Sequence, residues 1–132
     1  MRGLERGPQA WGLIHGDLGH LGNCVYDRNE VSPIDFNDCA FGFYLYDIAH
    51  AFLYINSGER RAFLNGYQKH RSLPTDFQPL IEGCMVAAQI NLLARFAPHP
   101  HRRLDYAARF VAHECTSFIR GRPFLFGRSW WE

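Results

Sequence analysis

His15-Gly16-Asp17-Leu18-Gly19-His20-Leu21-Gly22-Asn23, then Cys24-Val25-Tyr26, then Val31-Ser32-Pro33-Ile34-Asp35-Phe36-Asn37-Asp38, is the stretch on which the reading of this chain turns. Gly16, Gly19 and Gly22 permit tight backbone turns, so the opening residues form a shaped loop entered from the short apolar run Leu13-Ile14. Cys24 to Tyr26 predicts a short strand and Asp27 to Glu30 a turn. Val31 to Phe36 predicts a returning strand with Pro33 at an edge. Antiparallel pairing then brings Asn23, which opens the outgoing strand, to the same end of the ribbon as Asp35, which closes the returning one. Asp17, on the loop that feeds the first strand, approaches the same point.

On either side of this stretch the pattern changes. Residues 1–11 are rich in Gly, Pro and Arg and read as an irregular lead-in. From Phe43 to Ile55 apolar residues recur at helical spacing through Leu45, Ile48, Ala49, Phe52 and Leu53, and Asn56-Ser57-Gly58 supplies a stop. A second helix is predicted over Glu59 to His70, started by Ser57 or Gly58, with Glu59 at its positive end and Lys69 and His70 at its negative end. Thr75 is the expected N-cap of a long helix through Ile81, Val86 and Ile90 to Phe96, ended by Pro98-His99-Pro100. A last helix is predicted from about His101 to Arg120, stopping at Gly121 and Pro123. The fold class is therefore mainly α (α+β), with a small β-hairpin after the loop and about four helices.

Composition narrows the function. With 132 residues, 47% hydrophobic and 20% charged, the chain has the size and composition of one globular domain. Fourteen basic against 13 acidic residues give a net charge of +1, so nucleic acid is not an expected partner. Arg102, Arg103, Arg109, Arg120, Arg122 and Arg128 crowd the last third at spacings of a solvated helix face. No apolar run is long enough to span a membrane, so no membrane association is expected. The four cysteines form no Cys-x-x-Cys pair, as suits reduced thiols in a cytoplasm, with Cys84 and Cys115 expected as small buried helix residues. The serines lie in no Gly-x-Ser-x-Gly setting, which leaves triad hydrolysis without support. A zinc reading on His15, Asp17 and His20 lacks any His-Glu-x-x-His or Cys/His pairing.

The carboxylates carry more. Taken singly, Asp17, Asp35 and Asp38 suit turns and Asp47 suits an N-cap. Together, two or three oxygen donors at one open end suit Mg²⁺, which keeps several waters and is completed by substrate phosphates. Phosphoryl transfer is the natural chemistry of such a site: metal neutralises phosphate charge while one carboxylate aligns and deprotonates the attacking hydroxyl.

His15-Gly16-Asp17 with Asn23, then Ile34-Asp35-Phe36-Asn37-Asp38 and Leu45-Tyr46-Asp47-Ile48-Ala49, resembles the aminoglycoside phosphotransferase and choline kinase-like superfamily. Phe63-Leu64-Asn65-Gly66-Tyr67 and Gly121-Arg122-Pro123-Phe124-Leu125 resemble the helical second half of the same proteins. The resemblance implies a kinase-like C-lobe using Mg²⁺ and ATP or GTP to phosphorylate a small-molecule hydroxyl. It implies Asp17 as the catalytic base or hydroxyl-orienting carboxylate, with Asn23 and Asp35 as metal ligands. His15 would be structural, Asp47 would bond loop backbone, and Asp38 would support the metal or meet the acceptor.

The family pattern places the Asn five residues after the Asp, whereas Asn23 lies six after Asp17. Either Gly19 absorbs the extra residue as a bulge, or the register slips and one of the two leaves its place. Such enzymes also need a β-rich lobe with a lysine for the α and β phosphates, yet the only lysine here is Lys69. Residues 1–132 are thus expected to be a single partial domain, the catalytic lobe without the N-terminal nucleotide-binding lobe, and inactive alone. A fragment, a truncated reading frame, an excised domain and a pseudoenzyme or interaction module remain open readings. Apolar surface at Leu13, Ile14, Phe124, Phe126, Trp130 and Trp131 is expected to pair with a missing lobe or in a homodimer.

Overall fold

The computed structural model describes residues 6–19, 21–28, 30–98 and 102–127, with backbone alone at 21 and 102–104. Trp11–Ile14 (β1) pairs antiparallel with Ala40–Phe43 (β4), and Cys24–Asp27 (β2) pairs antiparallel with Glu30–Pro33 (β3). Four helices follow: Tyr44–Phe52 (α1), Ser57–Tyr67 (α2), Phe77–Phe96 (α3) and Arg102–Ile119 (α4). The expected α+β class, with a hairpin and four helices, is what the described residues form.

The hairpin differs in extent from the sequence reading. Its returning strand ends at Pro33 rather than Phe36, because Pro33 donates no ladder bond and Asp35 adopts left-handed backbone (φ 63, ψ 62) that a strand cannot hold. Ile34 N–H still donates to Asn23 O at 2.9 Å, which carries the pairing one bond further. Phe36–Asp38 then form a 3-10 turn. The β1–β4 pair was not foreseen: Leu13 and Ile14 find partners in Phe41 and Ala40 only across the intervening loop and hairpin.

Phe43 therefore belongs to β4, and α1 begins at Tyr44, whose N–H donates to Ala10 O at 3.0 Å. α2 starts two residues before the expected Glu59. Asn56 Oδ1 accepts from Glu59 N at 3.0 Å while Glu59 Oε2 accepts from Asn56 N at 2.8 Å, a reciprocal capping box. Thr75 is not the N-cap of α3; Asp76 holds that place without a side-chain cap bond. α4 closes close to where it was expected, and Gly121 takes the positive φ of 63° that turns the chain away.

The core lies between α1 and α3. Ile48, Ala49 and Phe52 are at most 2% exposed, as are Ile81, Cys84, Met85 and Ala88 facing them. Cys84 is the buried apolar thiol expected, its pKa pushed up by burial to about 11, while Cys115 is half-buried. Phe52 meets Phe63 of α2 edge-on at 5.6 Å between ring centres. Arg60 is buried in the same layer, donating from Nε and Nη2 to Phe52 O and from Nη1 to Leu125 O. Glu82 answers it by accepting from the Phe124 and Leu125 N–H groups, both at 2.8 Å. These bonds seat the C-terminal turn on the core, so Phe124 and Phe126 pack inward instead of forming an exposed patch. Trp130 and Trp131 lie outside the described residues.

Candidate active site

α1 anchors the glycine-bearing loop. Its first turn carries Asp47, whose Oδ2 accepts from His15 N at 2.7 Å and whose Oδ1 accepts from Gly16 N at 2.9 Å. Because Ile48 and Ala49 are locked in the core, the loop inherits a rigid footing. Gly16 has a φ of +82°, and a β-carbon there would run into the carbonyl oxygen of Asp38, so the close approach of the two segments requires glycine.

His15 links this loop to the hairpin. Its ring is buried, its Nδ1 accepts from Asp17 N at 3.3 Å, and its Nε2 lies 2.8 Å from Ile34 O. The first bond requires a bare Nδ1, so Nε2 carries the proton and donates to Ile34 O. Both ring nitrogens are bonded to backbone and the Phe36 ring lies tilted against the imidazole at 4.6 Å, so in this arrangement His15 offers no lone pair to zinc. His20 of the zinc reading lies outside the described residues.

Asn23 is buried, and its Nδ2 donates to Asp17 O at 2.9 Å and Asp17 Oδ2 at 3.2 Å. The longer loop therefore keeps Asn23 on Asp17, with a 3-10 turn over Leu21–Asn23 leading into β2. Since the amide nitrogen is committed to Asp17, Oδ1 is the Asn23 side-chain atom with lone pairs to offer a cation. Asp35 is exposed one residue beyond Ile34, which bonds Asn23, and its Oδ1 accepts from Asn37 Nδ2. One amide oxygen and one carboxylate are a hard donor set that fits Mg²⁺. Among the described residues no three His, Cys, Asp or Glu side chains gather at metal range.

Asp17 opens onto a cleft of about 330 Å³ whose polar lining is Asp17, Asp38, Tyr46, His50, Asn91 and Arg95. Asp38 stands on the cleft wall, its Oδ2 accepting from Arg95 Nη2 at 3.0 Å. Asp38 holds the Arg95 guanidinium charged by hydrogen bond and by Coulomb attraction. His50, Asn91 and Arg95 are not among the candidate residues that the sequence offers. The available signal was spacing: His50 sits three residues after Asp47 on α1, and Arg95 four after Asn91 on α3, so each pair shares a helix face. Burial holds the His50 pKa below its ordinary value, against the pull of Asp17 and Asp47.

The pattern described as the phosphotransferase enzyme family matches residues 4–80. A solved structure described as that of the microcompartment-associated aminopropanol kinase matches with a TM-score of 0.67 and 31% sequence identity, over 88% of this chain and 39% of that one. The chain thus spans about two fifths of that relative's length. No curated protein matches the chain in sequence.

Proposed function

The chain belongs to the phosphotransferase enzyme family, and from that premise we propose that it is the catalytic lobe of a kinase that moves the γ-phosphoryl group of ATP or GTP to a hydroxyl of a small molecule. The observation that carries this reading is the Asp17 carboxylate, which opens on a cleft while Asn23 and the Asp47-anchored loop hold its backbone and side chain. In a phosphoryl transfer the protein's work is mainly positioning and charge. Asp17 aligns the acceptor hydroxyl and takes its proton as the new oxygen–phosphorus bond forms. The bond from the γ-phosphorus to the bridging oxygen breaks, and the nucleoside diphosphate leaves with that oxygen. Asn23 and Asp35 would hold Mg²⁺, which when bound neutralises phosphate charge. Asp47 and His15 keep the loop against α1 and the hairpin. Asp38 and Arg95 form the charged wall against which the acceptor lies.

Lys69, the single lysine, is exposed beyond the end of α2, so the α and β phosphates would be held by residues outside these 132. Residues 1–132 are in this reading one partial domain that acts with a nucleotide-binding lobe. The same lysine is the observation that favours the second reading, a non-catalytic module that retains the scaffold. Radiolabelled phosphate transfer from nucleotide to a panel of small alcohols and amino alcohols, with the chain alone and within a full-length phosphotransferase, tests both. Transfer by the full-length protein that depends on Asp17 is expected. Nucleotide binding without transfer there would favour the second reading.

A further inference from the structure

His50 occupies the floor of the cleft behind Asp17. It lies in the second turn of α1, 6% exposed, flanked by the rings of Tyr46 and Tyr54 at 6.2 and 6.0 Å. Its Nδ1 accepts from Gly19 N at 3.2 Å, and its Nε2 stands 3.6 Å from Asp17 Oδ1. Gly19 is buried at the tip of the loop, where a β-carbon would strike the His50 carbonyl and the Tyr54 ring. Its N–H is carried on a buried residue, so the acceptor on α1 satisfies a donor that would otherwise be costly to leave unpaired.

The Gly19 bond also sets the tautomer. An imidazole that accepts at Nδ1 carries its proton at Nε2 when neutral, and that proton faces Asp17 Oδ1. Asn23 Nδ2 approaches the other oxygen, Oδ2. The carboxylate is thereby addressed from two sides, by one side chain from the loop and one from α1. Protonation would place a second ring proton against the Gly19 N–H. Of the charged groups around the ring, Asp17, Asp47 and Asp38 favour that proton and Arg95 opposes it, but burial weighs most.

We propose that His50 is a positioning residue for phosphoryl transfer: it ties the loop tip to α1 and orients the Asp17 carboxylate toward the acceptor hydroxyl. The role rests on Asp17 being the hydroxyl-orienting group. At 3.6 Å the Asp17 contact is longer than a formed hydrogen bond, as is common for catalytic contacts before substrate arrives, and the proposed role requires it to tighten when the acceptor binds.

Two substitutions separate the two contacts. His50→Asn retains an acceptor near Nδ1 for Gly19 and loses the reach to Asp17, whereas His50→Gln restores a donor near Nε2. In a full-length phosphotransferase carrying this lobe, His50→Asn is expected to lower kcat about a hundredfold with the nucleotide KM unchanged, and His50→Gln to recover most of that loss. On the chain itself, ¹⁵N spectra of the imidazole are expected to show one neutral tautomer protonated at Nε2. Wild-type kcat in His50→Asn, equal losses in both variants alongside lost thermal stability, or a ring protonated at Nδ1 would each overturn the proposal. An Asp17→Asn enzyme that keeps turnover overturns the reading of Asp17 and this role with it. Full turnover in His50→Asn beside an inactive Asp17→Asn removes the role of His50 alone.

Discussion

The carboxylate of Asp47 accepts the backbone N–H of His15 at 2.7 Å, and its other oxygen accepts the next N–H, of Gly16, at 2.9 Å. One side chain on α1 thus fixes the two residues that precede Asp17. Replacing Asp47 by Ala leaves both N–H groups without their acceptor and is expected to cost about 2 kcal/mol of stability. Turnover in a full-length enzyme should fall more steeply, because the loop that carries Asp17 loses its footing. Urea midpoints and amide exchange at His15 and Gly16 check this: unchanged protection at both amides would refute the anchoring role.

Asp35→Ala in a full-length phosphotransferase is expected to abolish Mg²⁺-dependent transfer with the fold intact by circular dichroism, since Asp35 is exposed and outside the core. Asp17→Asn should lower kcat by about a hundredfold or more with little change in nucleotide affinity, because the lost function is alignment and deprotonation of the hydroxyl. Steady-state kinetics at several Mg²⁺ concentrations distinguishes them. Activity that survives Asp35→Ala would remove that residue from the metal site.

Glu114 of α4 sets a pH dependence of folding. It is 3% exposed, accepts from Gln89 Nε2 at 2.6 Å, and burial raises its pKa from 4.5 to about 7. The folded state therefore holds this proton more tightly than the unfolded chain does. Its contribution is complete below pH 4.5 and is lost as pH rises through about 7, a change on the order of 3 kcal/mol. His50 slopes the other way, since its lowered pKa gives stability that is present above pH 6.5 and lost as pH falls. Urea unfolding of wild type and Glu114→Gln at pH 5 and pH 8 isolates the first effect. The variant should gain on wild type at pH 8 relative to pH 5, and parallel curves would show that Glu114 does not titrate in this range.

Leu13 and Phe41, register partners on β1 and β4, are 62% and 73% exposed and form an apolar pair on the open face of that sheet. In the chain on its own this pair is expected to promote self-association, weakened by Phe41→Glu. Light scattering over a concentration series reads it directly. A single monomeric species at every concentration would mean that this face needs no cover.

The order of loop, hairpin and helices was legible because it depends on local chemistry: glycines that permit turns, apolar residues at helical spacing, and breakers between them. The same locality explains the errors at boundaries. Asn56 displaced Ser57 and Gly58 as the cap because its side chain and that of Glu59 satisfy each other's backbone N–H groups, an exchange decided by three-dimensional fit. Asp17, Asn23, Asp35 and Asp47 stood out as a motif. What each one bonds to could not be read from their order.

By itself, then, the sequence determined the α+β class, the helical elements and the set of carboxylates from which a phosphotransferase site can be built, since each is encoded in residue types close along the chain. Tertiary structure alone decided the pairing of β1 with β4, the burial of Arg60, the contact of Arg95 with Asp38 across 57 positions, and the placing of His50 behind a loop 31 positions away. Those choices depend on which surfaces α1 and α3 bring together when their apolar faces close. A polar side chain takes as partner whatever unsatisfied group that closure leaves within reach.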